Sequence, residues 1–347
     1  MKKVKALLSA ATAAVLALSL FGCAVENPDT DDANQTSDPA VQGVSMSVAA
    51  LKGPTGIGMV KLMSDSETGG TVNDYTFQVF DSPDNVVAAV SNVDNPVQVA
   101  AVPVNVAASL YNKTNGKIQV AAINTLGTLF LLENGESIQS VADLKGKTIY
   151  VSGQGATPEY VLDYILTSNG IDPDKDVDIQ FVADHATLAT MVVAGEADIA
   201  LLPQPNVTTV LTQAPDVRIA LDLTKAWDDT NAKNGKQGQL SMGCIIVNKE
   251  FAEQNKAAFN KFLDEYKASV EYVPAEANLD AAAQLCETYG IIPKAAVAKK
   301  AIPDCNITYI EGAEMKQNMQ QNLQILFDAN PKSIGGTMPD DAFYYTR

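Results

Sequence analysis

Short apolar, β-branched runs alternate along this chain with amphipathic helical patterns, and that alternation predicts parallel sheets with crossover helices. Strands are expected at residues 48–51 and 148–151. The first runs into Lys52-Gly53-Pro54-Thr55-Gly56, the second into Ser152-Gly153-Gln154-Gly155-Ala156-Thr157-Pro158, and each loop leads into a helix. A second pair of segments, 97–106 and 197–207, reads as a buried strand ending at Pro103 or Pro203, then an asparagine, Asn105 or Asn206, that opens a helix. Gly53 to Pro103 and Gly153 to Pro203 both span 50 positions. The echo implies two lobes of like topology, each offering two loops at the carboxyl ends of its parallel strands, the edge where open α/β sheets bind ligands. Chance similarity between common strand-loop-helix units is the alternative, because such units reuse turn chemistry.

The loop at Gly153 suits binding. The Thr157 hydroxyl is placed to cap the following helix and Pro158 fits its first position. The stripe Val161, Leu162, Ile165 and Leu166 then continues to a stop at Asn169-Gly170. Such a helix aims unpaired N–H groups and its positive dipole end at the loop, so an oxygen-rich or anionic group is the natural partner; the glycines would otherwise serve only a tight turn. Phe259, Phe262, Leu263 and Tyr266 recur at helical spacing as a core face. The single tryptophan, Trp227, reads as packing, with stacking on a planar ligand as the alternative.

The N-terminus changes the picture. Lys2, Lys3 and Lys5 precede an uncharged apolar run over residues 6–21, which suits a signal peptide but falls short of the roughly 20 residues of a membrane span. The run ends in Leu20-Phe21-Gly22-Cys23, which resembles the lipobox of bacterial lipoproteins and makes Cys23 the expected lipidated first residue after cleavage of residues 1–22. Residues 23–43, rich in Asp, Asn, Thr, Pro and Ser, are expected to be a disordered tether. The formal charge of −17 becomes about −20 once the three signal lysines are removed. With no basic run to compensate, nucleic-acid binding is excluded. Three cysteines then remain, an odd number. Cys244 lies in an apolar run, and Cys286 with Cys305 form the pair that a disulfide would join in an oxidising compartment, the residues leaving open whether it does.

Gly53-Pro54-Thr55-Gly56, the segment 101–107, Asn124-Thr125-Leu126-Gly127, the segments 141–147 and 153–158, and Ala194-Gly195-Glu196-Ala197-Asp198 occur in an order and spacing that resembles the solute-binding proteins of nitrate, sulfonate, taurine and thiamine-precursor ABC importers. The resemblance spans essentially everything after the tether. It implies the type II periplasmic-binding-protein fold, α/β with two doubly wound lobes joined by two crossing strands: lobe 1 from residues 44–128 plus 246–347, lobe 2 from 129–245. Carried over position by position, it lines an inter-lobe cleft with Thr55, Gly56, Pro103, Asn105, Asn124, Thr125, Gly153, Gln154, Ala156, Pro203, Gln204, Met242 and Gly243. It further implies closure of the lobes on a small polar or anionic solute, delivery to permease and ATPase subunits, a lipid-anchored monomer on the outer face of the cytoplasmic membrane, and no cofactor. One departure is the segment 91–96, where the family commonly has a glycine before the strand.

Catalysis finds little support. No Gly-x-Ser-x-Gly elbow, phosphate loop or metal-ligand cluster is present, and His185, the only histidine, reads as a solvated loop residue. The fungal thiamine-pyrimidine synthases, similar in outline, depend on a cysteine-rich motif that is missing here. A ligand-sensing lipoprotein that docks a membrane receptor is the other non-catalytic alternative.

Overall fold

The computed structural model describes residues 42–94, 96–152 and 154–347. The signal peptide, Cys23 and nearly all of the tether lie outside the described residues, as does Gly153. The described chain forms eleven strands: β1 (Ser45–Leu51), β2 (Asp74–Phe80), β3 (Val99–Pro103), β4 (Ile118–Leu126), β5 (Leu129–Asn134), β6 (Thr148–Ser152), β7 (Asp178–Val182), β8 (Ile199–Pro203), β9 (Val217–Asp222), β10 (Ser241–Asn248) and β11 (Ile307–Ile310). They make two sheets, ordered β11-β4-β10-β3-β1-β2 and β7-β6-β8-β5-β9.

The two sheets follow one plan. β1 lies parallel between β2 and β3, and β6 lies parallel between β7 and β8. Each sheet then takes one antiparallel strand next to its third parallel strand: β10 places Gly243 opposite Pro103, and β5 places Leu129 opposite Pro203. β5 follows the first-sheet strand β4 after only Gly127 and Thr128, and β10 brings the chain back. The whole of β10, from Ser241, pairs in the first sheet, whereas the sequence reading gave the second lobe residues up to 245. The echo read from the sequence extends to burial. Residues 101–110 and 201–210 alternate buried and half-buried positions in the same order.

Parallel strands covered by helices on both faces should bury successive residues to opposite sides. In β1, Val48 and Ala50 join one core with Phe259, Phe262 and Tyr266, while Ala49 and Leu51 join another with Met315 and Met319. In the second sheet, Leu129 and Leu131 face the core that holds Trp227, and Phe130 and Leu132 face the opposite one. Ile325, on the helix Gly312–Ala329, also packs into the Trp227 core and so stitches the C-terminal segment to the second lobe.

Trp227 is 1 % exposed, stacks at a tilt on Tyr164 with ring centroids 4.8 Å apart, and donates its indole N–H to the Gly238 carbonyl at 3.3 Å. It is packing. The disulfide that the sequence left open between Cys286 and Cys305 is not formed: both thiols are free and buried in the same apolar core, where they act as small hydrophobic groups and burial pushes both pKa values up. No helix among the described residues is long and apolar enough to cross a membrane.

One half-buried carboxylate is poorly provided for. Asp163, inside the helix Thr157–Ser168, has one carboxylate oxygen without a hydrogen-bond partner. Burial, with the nearby Glu159 and Asp174 carboxylates, raises its pKa from 3.8 to about 6. A pKa raised by folding means that the folded state holds the proton more tightly. The favourable contribution is therefore complete below pH 3.8 and disappears as pH rises through 6. Asp163→Asn is expected to stabilise the protein at pH 7 by about 1 kcal/mol, after discounting for partial exposure, and to flatten the pH dependence of urea denaturation between pH 4 and 6. A variant less stable than the parent at pH 7 would reject this account.

Candidate functional site

The three parallel strands of each sheet, β1, β2 and β3 in the first and β6, β7 and β8 in the second, end at one cleft of about 560 Å3. Leu51, Lys52, Gly53, Pro54 and Thr55 enter it after β1, Asp81, Pro83 and Asp84 after β2, and Pro103, Asn105 and Val106 after β3. From the second lobe come Ala156, Thr157 and Pro158 after β6, His185 after β7, and Pro203, Gln204, Pro205 and Asn206 after β8. The crossing segments supply Thr125, Thr128, Leu129 and Met242 to the floor. A cavity of about 450 Å3 between residues 139–142 and the helix Leu223–Lys233 lies on the second lobe alone.

Of the residues carried over from the family resemblance, the fold brings Thr55, Pro103, Asn105, Thr125, Ala156, Pro203, Gln204 and Met242 to the wall of this cleft. Three others lie beneath it. Asn124 is 1 % exposed; its amide donates to the Thr55 carbonyl at 3.0 Å and the Tyr266 hydroxyl at 3.1 Å, and its oxygen accepts from the Thr125 hydroxyl at 3.1 Å. Gly56 and Gly243 are glycines for closeness of packing. A Cβ on Gly56 would stand 2.0 Å from the Leu51 carbonyl, and one on Gly243 would stand 2.4 Å from the Thr55 methyl and 2.6 Å from the Asn124 oxygen. Gln154 is exposed and away from the cleft wall.

The start of the helix Thr157–Ser168 departs from the sequence reading. Ala156 is the N-cap, Thr157 is already helical, and no side chain caps the end. Instead the Glu159 carboxylate reaches back to accept the Gly155 amide. At the two prolines, the helices Val104–Lys113 and Asn206–Gln213 also begin without a side chain on their first amides from the N-cap residue, although Gln204 accepts from the Thr208 amide at 3.2 Å. Gln204 is 1 % exposed, also accepts from the Thr208 hydroxyl, and sends its amide toward Asp304 at 3.5 Å. Burial and the Asp222 carboxylate push the Asp304 pKa up.

His185 corrects the sequence reading most clearly. It is half-buried on the cleft wall as the first residue of the helix His185–Ala194, with Nδ1 hydrogen-bonded to the Ser152 hydroxyl. Burial lowers its pKa against the opposing pull of Asp184, so the ring is neutral at pH 7. The signal was local: Asp184 accepts from the Thr187 amide at 2.8 Å and the Thr187 hydroxyl at 2.9 Å, the N-cap pattern of Asp followed by Thr three residues on. A capped helix after a parallel strand starts at the ligand edge of its sheet. Lys52, Asp81 and Asp84 were also missed, and Lys52 is paired with Asp81 at 2.5 Å.

Residues 116–277 match a family model described as NMT1/THI5 like. By sequence, no curated protein matches the chain. Among solved structures, the chain is similar to an ABC transporter protein from Parabacteroides distasonis, with 24% identity, 87% of this chain and 99% of the other covered, and a TM-score of 0.72. It is similar to the periplasmic aliphatic sulphonate binding protein SsuA from Escherichia coli, at 16% identity, 87% and 92% coverage and a TM-score of 0.65. It is also similar to the periplasmic nitrate-binding protein NrtA from Synechocystis PCC 6803, at 12% identity, 85% coverage of both chains and a TM-score of 0.54. The match to the NMT1/THI5-like model over residues 116–277 and the two-sheet α/β fold shared with these periplasmic binding proteins agree with the resemblance read from the sequence.

Proposed function

We propose that this protein captures a small solute in the cleft between its lobes and delivers it to the permease and ATPase subunits of an ABC-type importer, without catalysing a reaction. The observation that carries the reading is the convergence of strand ends from both sheets on one cleft, lined by side-chain amides from Asn105, Gln204 and Asn206 and floored by two crossing strands. Two bodies, one built on each sheet, would rotate about the segments where the chain crosses between them and enclose the solute, and the closed form would be the one the importer selects. The comparison proteins named for sulphonate and nitrate binding support solute capture, and the lipobox at Cys23 supports a monomer anchored by acyl chains to the outer face of the cytoplasmic membrane. The solute classes in view are nitrate, sulfonates, taurine and thiamine-pyrimidine precursors.

A solute that binds only the folded state stabilises it by about 2.7 kcal/mol when present at a hundred times its dissociation constant. For a chain of this size that corresponds to a rise in melting temperature of several degrees. Thermal denaturation with each member of that panel should show such a rise for at least one, with saturable binding by equilibrium dialysis. A panel extended to small polar solutes of every charge that gives no shift would overturn solute capture.

A further inference from the structure

Resting on the solute-capture reading, we infer that the cleft selects a solute without net negative charge, neutral or cationic, with an apolar body for the proline walls and hydrogen-bonding groups for the side-chain amides. A cleft that holds a small anion offers it an unpaired cation, open helix N-termini, or both. Among the described residues, Lys52 is the one cationic side chain on the wall, and Asp81 already holds its ammonium at 2.5 Å. Among the described residues no arginine lines the cleft.

The helix starts tell the same story. Five helices of eight residues or more begin at the cleft, and three of those starts carry the protein's own carboxylate. Asp84 occupies the first turn of the helix Pro83–Val90, Glu159 accepts the Gly155 amide, and Asp184 caps the helix His185–Ala194. At those three starts an incoming anion would meet a positive helix end already neutralised and would stand among like charges, whereas a cation would be attracted by the same groups; the starts at Val104 and Asn206 carry no carboxylate. His185, neutral at pH 7, supplies a hydrogen-bonding ring and no positive charge. Pro54, Pro103, Pro158, Pro203 and Met242 form apolar walls that a bare nitrate ion cannot use but the flat or aliphatic body of a larger solute can.

The purified full chain should be titrated at pH 7 and low salt with two anions, nitrate and ethanesulfonate, and with neutral and cationic probes of similar size, cytosine, benzamide and benzamidine. Neutral or cationic probes are expected to raise the melting temperature by several degrees, and the anions to leave it unmoved. In an Asp81→Asn/Asp84→Asn variant, which frees Lys52, benzamidine affinity should fall tenfold or more and ethanesulfonate affinity should rise. Saturable binding of nitrate or ethanesulfonate to the unaltered chain, tighter than that of every uncharged and cationic probe, would overturn the charge selection and leave solute capture standing. Silence from every probe, on parent and variant alike, together with no shift across the extended panel of small polar solutes, would overturn both.

Discussion

Arg218→Leu is expected to lower stability by about 3 kcal/mol at pH 7 while leaving the cleft's binding properties intact in the folded fraction. Glu133 on β5 and Arg218 on β9 stand opposite one another in register. The Glu133 side chain is 3 % exposed and the guanidinium 32 %, with 2.6 Å between them. Arg218 also donates to the carbonyls of Ile138 and Gly135, at 2.6 Å and 2.9 Å, closing the loop that follows β5. Removing it leaves a buried carboxylate served only by the amides of Ser137 and Ile138 and the Ser137 hydroxyl. Burial pushes the Glu133 pKa up, but those hydrogen bonds and the guanidinium outweigh it and hold the group below its usual 4.5. A pKa depressed by folding contributes stability that is present above 4.5 and lost as pH falls through the folded value. The parent should therefore weaken on acidification below that point, and the variant should weaken less, because its carboxylate has lost much of its reason to ionise. Urea denaturation at pH 7 and pH 4 checks both halves. Glu133→Gln/Arg218→Leu, which removes the charge as well, should recover a large part of the loss. Equal destabilisation in the single and double variants would show that the loss is packing and not an unpaired charge.

What could be read before the structure was known was periodic or local. The matched strands ending at Pro103 and Pro203 were legible because burial on both faces of a parallel strand writes an unbroken apolar run, and because both lobes repeat it. The core face of Phe259, Phe262, Leu263 and Tyr266 was legible from spacing alone. His185 was not, because a polar residue in a loop looks solvated until residues far away in sequence bring a wall against it; the Lys52–Asp81 pair, exposed in the structure, was missed because it joins two loops far apart in sequence. Whether Cys286 and Cys305 pair was left open by the sequence, because compartment chemistry carries no information about packing; the fold uses both as core filler. The cap on the helix Thr157–Ser168 slipped by one residue, an error that changes which atoms are free at the cleft, since the carboxylate of Glu159 and not the hydroxyl of Thr157 serves that loop. Gly56 and Gly243 were placed on the cleft wall although they serve the packing beneath it, and a sequence cannot separate a glycine that admits a ligand from one that admits a neighbouring strand.

Asn124→Leu carries the second large effect, and it separates the floor of the cleft from the rest of the fold. The side chain is of similar size, so the cost should come from the groups left without partners: the Thr55 carbonyl, the Tyr266 hydroxyl and the Thr125 hydroxyl, which all bond to the Asn124 amide group. Each stranded buried polar group costs about 1–3 kcal/mol, and with some relaxation of the Thr125 hydroxyl the total should be about 3 kcal/mol. Thr55 lines the cleft and Gly56 is wedged against the Leu51 carbonyl, so a freed Thr55 carbonyl moves the loop from Lys52 to Thr55 as a unit. Solute affinity should fall at least tenfold in the folded variant, measured by dialysis with whichever probe binds the parent. Arg218→Leu provides the comparison, because it loses similar stability from the far end of β5, where no cleft residue touches the pair. If both variants lose stability alike but only Asn124→Leu loses binding, Asn124 acts by positioning the wall. If Asn124→Leu binds as tightly as the parent, the hydrogen-bond cluster under the cleft serves folding alone, and the position of Thr55 does not control capture.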